Sequence, residues 1–476
     1  MRMHEKTPRE ILTTRTGREL LRRIPDAAVC VLIFLAFALT SLAPLLISVK
    51  ALSYMQPRFF AGGEINRYVI SDLYSNDFDT LMHKTIFPLV CFLAVAAYVL
   101  AFCKNRNKGT VIDRGVFFAP APVLFGLLGI WVVCNVFFIN GITYYTTEGA
   151  LPNHENLSLY LEYYLCFFMM GLFFKEPKWK NRFFRLFVLV SLVLALLAVY
   201  LHRKVYTKDA ILCVYSNSNY YGIILNVVIG LCAAMLAGAT RRKWKGFFAA
   251  ALLANTAVLY FNNTLGAWVG AFFACLFSVV ALRIRDGKFN RRSLLAIGLF
   301  LGGLIVCGFV DAAFISGNNN FLKNFSSLFR DIFDIWADPN SSNANHAGSG
   351  RWAIWKYYLS LVKEHPWSGV GLDGVRALDI GQEIGQKRPH NEYLQYAAFL
   401  GIPGLMQYFL ACLSVYIRAL RYRRRLDNLT LAALTAAFGY LVGAFFGNTV
   451  YNTTPYLYIM LGLGYVNVND PADQSV

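Results

Sequence analysis

Apolar runs of about 17–25 residues recur along the whole chain, and nothing constrains its fold more. A run of that length crosses the hydrocarbon of a bilayer as an α-helix. In lipid, every backbone N–H and C=O must be satisfied within the segment or by a neighbour. The runs fall at about 27–49, 85–103, 116–139, 158–174, 185–201, 213–239, 246–261, 265–282, 293–310, 391–417, 429–447 and 453–467. Of the 476 residues, 57% are hydrophobic and only 15% charged, a balance foreign to soluble domains. The expected fold class is all-α, a polytopic membrane bundle of about twelve transmembrane helices. One large external loop carries interfacial helices.

The formal charge of +18 could suggest nucleic acid, but its placement argues against that partner. Basic clusters occupy alternate loops, at 15–23, 104–114, 175–185, 241–245, 283–292 and 418–425, while 141–156, 262–264 and 448–452 carry no Lys or Arg. That alternation is the positive-inside pattern, with both termini cytoplasmic and anionic membrane lipids as the basic residues' partners. The domain plan is a cytoplasmic segment 1–26, nine spans within 27–310, an external catalytic loop 311–390, three spans within 391–467 and a cytoplasmic tail 468–476. The first apolar run lacks a small-residue cleavage pattern and reads as a retained anchor. Most of the ten cysteines lie inside apolar runs without CxxC spacing, as small core residues do.

The external segments are then 50–84, 140–156, 202–210 and 311–389. The last is much the longest, and a loop that long is more often functional than connecting. The cytoplasmic loops are too small to bind a nucleotide sugar, so the chemistry faces outward. The spans hold almost no ionisable residue apart from Glu162, which disfavours an ion-coupled pump.

Within the long loop, a short helix is expected around 322–336. Ser349 is expected to cap a second helix over 350–364, with Arg351, Trp355, Tyr358 and Val362 on one stripe, suited to the outer membrane interface. A guanidinium grips a diphosphate through paired hydrogen bonds; an exposed Arg on lipid phosphate is the plainer reading of Arg351. His365-Pro366 ends the helix. Gly369 and Gly371 fit the dinucleotide fingerprint by letter, but no strand–helix context supports it. They are expected to turn the backbone tightly against another element or substrate. Pro389 is expected as the first residue of the next helix, with His390 in its first turn beside Arg388, Asn391 and Glu392. The helix N-terminus disfavours a protonated imidazole there. A neutral His390 could hold or deprotonate a sugar hydroxyl; a structural cap is the alternative.

SGRW (349–352), EHPWSGVG (364–371), HNEYLQ (390–395) and GIPGL (401–405), in that order and spacing, resemble the bacterial O-antigen ligase and polysaccharide polymerase family. YSNSNYYG (215–222), with Asn219, is similar to the Asn-rich opening of a central helix in that family. The resemblance implies a membrane glycosyltransferase acting on an undecaprenyl-diphosphate-linked glycan, without cofactor or metal, at the outer face of the bacterial inner (plasma) membrane. The acceptor would be another glycan, a lipid A core or a protein. Arg351 would bind the diphosphate and His390 would serve the acceptor, with Glu392 as the next suspect; Trp352, Gly369, Gly371, Asn391 and Asn219 would line the substrate loop. TLGAW (264–268) departs from a family segment that often reads Ser-Arg-Gly, because Leu265 stands where the arginine is expected. Arg203, Lys204 and Lys208 are the candidate replacement cations, and Arg388 is a further candidate for binding the donor diphosphate. Two other readings remain: a lipid-linked oligosaccharide flippase, and a metal-dependent polyprenyl-sugar transferase using Asp77 and Asp79.

Overall fold

The computed structural model describes residues 119–140, 157–173, 177–205, 217–315, 320–372, 388–449 and 453–465, with isolated positions at 89, 92 and 374. The expected spans 27–49 and 85–103, both termini, Asp77, Asp79 and Lys208 lie outside them. Among the described residues the chain is all helical. Helices stand at the positions of the ten remaining expected spans: α1 (Pro120–Cys134, continued by a π-turn to Ile139), α2 (Leu157–Phe173), α3 (Pro177–Val205), α4 (Ser218–Gly238), α5 (Arg242–Asn262), α6 (Leu265–Asp286), α7 (Arg291–Val310), α10 (Glu392–Arg421), α11 (Asn428–Ala444) and α12 (Thr454–Leu463). Two further helices, α8 (Asn320–Ala337) and α9 (Ser342–Glu364), lie between α7 and α10. Seven of the helices are long and apolar enough to cross a membrane, and α2, α11 and α12 are shorter.

The core is organised around α4, which is buried along almost its whole length and packs against α5, α6 and α11. Close approach there depends on small residues, as is usual between helices in lipid. A Cβ on Gly270 would come within 2.2 Å of Asn226 Nδ2, and one on Gly439 within 2.9 Å of the Ala274 Cβ. On the other flank α2 packs on α12, and α1 on α10. Tyr160, Tyr163, Tyr396, Tyr408, Tyr440 and Tyr458 are fully buried in this half.

The break inside α10 determines how the segment before it sits. Gly401 adopts φ 71°, ψ 176° and Pro403 follows, so the helical ladder fails over one turn. Pro403 has no N–H to offer the Phe399 carbonyl. The Gly371 N–H supplies it at 3.0 Å, the Val370 N–H bonds to Ala398 O at 2.8 Å, and the Ile402 N–H is turned to Pro366 O at 2.8 Å. Trp131 of α1 donates to Leu400 O at 2.9 Å, and Asn135, in the π-turn, donates to Ser368 O at 2.6 Å. The 365–371 turn is thus strapped across the break by main-chain bonds. Gly369 permits the contact: its φ is 65°, and a Cβ there would lie 2.4 Å from the Phe399 carbonyl carbon. The expected close backbone approach at this turn is to α10.

The exposed apolar face expected of α9 is found on α8 instead. The apolar stripe of α9 (Ile354, Tyr358, Leu361) is buried and α9 packs on α10, with the Tyr358 ring 6.5 Å from that of Phe399. The exposed apolar face belongs to α8, where Leu322, Phe329, Ile332, Phe333 and Trp336 recur at helical spacing on one side. That is the pattern of a helix lying in a membrane interface.

Candidate active site

Four pieces of chain meet at a break within α9, where residues 347–350 leave the helical conformation. The turn before Arg351 is left-handed, with φ of 60° at Gly348, 61° at Ser349 and 84° at Gly350. Ser349 is therefore not the extended cap that was expected; Ser341 caps the short piece of α9 that precedes the break, accepting from the Ala344 N–H. Flanking glycines make the left-handed run accessible, and the Gly348 N–H anchors it on the Asp331 carboxylate at 2.9 Å. This turn directs the half-buried Arg351 at α4, where its Nη2 donates to Asn219 Oδ1 at 3.1 Å. Asn219 is itself held because its N–H bonds to the capping Asn217 side chain at 2.8 Å. The structure thus joins Asn219 to Arg351. Burial lowers the Arg351 pKa from its usual value.

The second half of the site is the 388–391 segment. The α10 helix starts three residues later than expected, at Glu392: Asn391 is the cap, its side chain accepting from the Leu394 N–H at 3.1 Å. His390 precedes it with φ 49°, outside the helix. Pro389 holds its carbonyl against Trp355 Nε1 at 2.6 Å. Asn448, in the turn after α11, accepts from the His390 backbone N–H at 2.7 Å, and its Nδ2 lies 3.3 Å from His390 Nδ1. The same turn receives Arg388 on Thr449 O at 3.4 Å, and the Thr449 N–H bonds to Gln395 Oε1 at 3.0 Å. The His390 pKa is lowered to about 4, first by burial and then by the charges of Arg351 and Arg388. The neutral imidazole expected from the helix terminus is therefore produced by burial and two guanidinium groups. Arg351, Arg388 and His390 share one electrostatic neighbourhood.

Other expected site residues stand elsewhere. Trp352 Nε1 bonds to Pro339 O at 2.9 Å, which ties α9 to the turn behind α8. Glu392 is fully buried. Its two oxygens accept from Tyr408 and Tyr440, each at 2.9 Å, which turns the carboxylate into the tyrosine-rich core. Gly371 faces Asn140, just past the π-turn, and Gly369 faces α10. Arg203 and Lys204 belong to the last turn of α3. Leu265 opens α6 and packs against the core, one turn from where a Cβ on Gly222 would meet Ala267 at 2.7 Å. The position of the missing arginine thus lies beside the first turn of α4.

Sequence reasoning missed Asn448 and Thr449. Their only signal was two polar residues in a turn between apolar helices. It also missed an apolar cavity of about 600 Å³ between α6, α10 and α11, lined by Phe277, Tyr393, Phe409, Leu413, Phe438 and Phe445 among others. Phe445, one of its lining residues, meets Trp355 edge-on at 5.5 Å, and Trp355 holds Pro389.

Residues 248–409 match the family model described as O-antigen ligase. No curated protein matches the chain. The matched stretch runs from α5 into the broken α10 and includes Arg351, the strap and His390 but neither Asn219 nor Asn448. That stretch contains most of the motifs that carry the family resemblance, and the match supports the O-antigen ligase and polymerase family for a chain whose long apolar helices suit a multi-pass membrane protein.

Proposed function

We propose that the protein is a glycosyltransferase that moves or polymerises a glycan from an undecaprenyl-diphosphate donor at the outer face of a bacterial plasma membrane. The observation that carries this reading is the half-buried Arg351, aimed by Asn219 into the neighbourhood of Arg388 and a neutral His390. Two guanidinium groups suit a diphosphate, whose charge rises as the glycosyl bond breaks. The apolar cavity beside Trp355 suits the polyprenyl chain of the same donor. In the transfer, the acceptor oxygen bonds to the anomeric carbon as the bond from that carbon to the diphosphate oxygen breaks. The electron pair stays on the diphosphate, and Arg351 and Arg388 stabilise it. The acceptor's proton passes to water or to a diphosphate oxygen. Glu392 supports this site from within the core by fixing the start of α10 to α11.

The test uses purified protein, an undecaprenyl-diphosphate glycan and single-turnover transfer. Arg351→Lys keeps the charge but cannot form two parallel bonds to phosphate oxygens, and a loss of at least about tenfold is expected. Arg351→Ala should weaken donor binding as well, and His390→Ala should reduce transfer more than binding. Full transfer by Arg351→Lys in a normally inserted protein would remove the bidentate role.

A further inference from the structure

We infer that Asn448 is a positioning residue that sets which nitrogen of His390 carries the proton, so that the site presents an N–H donor at Nε2. The inference rests on the proposed activity only for its consequence; the geometry stands by itself. Asn448 is fully buried and makes two contacts with one residue. Its Oδ1 lies 2.7 Å from the His390 backbone nitrogen, which can only donate. The amide orientation is thereby determined, because the reversed amide would set N–H against N–H. Its Nδ2 must then face the ring at 3.3 Å, and an amide N–H can only donate. Nδ1 therefore accepts, and in a neutral imidazole the proton resides on Nε2.

The left-handed backbone at His390 (φ 49°) is what lets main chain and ring reach the same amide. Trp355 on Pro389 O and the Asn391 cap hold the residues on either side. The charged groups that act on the imidazole are Arg351 from α9 and Arg388 from its own segment, and both oppose a second ring proton. Glu392 is turned into the core by Tyr408 and Tyr440. With its lone pair at Nδ1 engaged, His390 cannot take the acceptor's proton at Nε2. Instead, Nε2–H is a donor for an oxygen, and in the proposed reaction this is the oxygen on which negative charge develops as the glycosyl bond breaks.

The experiment is nitrogen NMR of the full chain with ¹⁵N-labelled histidine, in lipid nanodiscs near neutral pH. The chain has seven histidines, and the spectrum of His390→Gln identifies the signals of His390. The expected result is a pyrrole-type Nε2 and a pyridine-type Nδ1 in the wild-type protein. Asn448→Asp should reverse the assignment, because a carboxylate accepts from Nδ1–H, and should move the imidazole pKa upward by at least one unit. It should also add to the transfer rate an ionisation near neutral pH that the wild type lacks. A wild-type spectrum with the proton on Nδ1 overturns the inference, as does an Asn448→Asp protein with the wild-type pattern. If Asn448→Asp does not insert, the wild-type spectrum decides alone. Failure to transfer glycan with the Nε2–H form intact would instead count against the proposed activity.

Discussion

At the scale of single residues, the site is governed by which charges are allowed to form. His390 titrates near 4 when folded, against an ordinary 6.5. Between those values the unfolded chain binds a proton that the folded chain does not. The contribution to stability is complete above about pH 6.5 and falls as pH drops towards about 4. Melting temperatures of wild type and His390→Gln, compared from pH 7 to pH 4, should converge as the wild type loses more; equal slopes would contradict this. A bound diphosphate should pull the imidazole pKa upward. Arg351 and His390 were legible in the sequence because rare polar residues stand beside helix boundaries. Asn448 was not, since an asparagine 58 positions away announces nothing until the fold brings its amide to the ring.

At the scale of elements, the chemistry of main-chain bonds decides where the loop sits. Gly369→Ala would place a side chain at positive φ, costing about 1–3 kcal/mol, and press it into the Phe399 backbone. A marked fall in melting temperature and in transfer is expected. Gly246→Ala in α5, which meets nothing within 4 Å, should leave both unchanged or slightly improve stability. Comparable melting of the two variants would mean the strap does not hold α10. Helix positions were legible because apolar periodicity and length survive into the fold. The left-handed turn at 348–350 and the late start of α10 were not, because serine and histidine rarely adopt that backbone and are driven to it by partners distant in sequence. The interfacial role was assigned to α9 rather than α8 for a related reason. Aromatic content alone does not tell burial against protein from burial in lipid.

At the scale of the whole molecule, the proposal requires α8, α9 and His390 to face outward and the 421–425 cluster to face the cytoplasm. In a protein freed of reactive cysteines, a probe at Asn343 should be labelled from outside and one at Arg424 should not; the opposite pattern would invert the assignment. Activity should also survive excess chelator and the paired change Asp77→Asn with Asp79→Asn. Inhibition reversed by manganese or magnesium would favour the acidic-pair scheme. The strap has a further consequence for traffic through such a site. Lifting 365–371 off α10 would strand the carbonyls of Ala398 and Phe399 in apolar surroundings, at about 1–3 kcal/mol each. Under the proposed function the strapped turn is the fixed side of the site, and the apolar cavity between α6, α10 and α11 is the flank by which a lipid-linked donor would enter. Supply of donor then becomes a matter of diffusion within the plane of the membrane, set by lipid mobility and by how the flank is shared with neighbouring lipids, and not by the opening and closing of a lid.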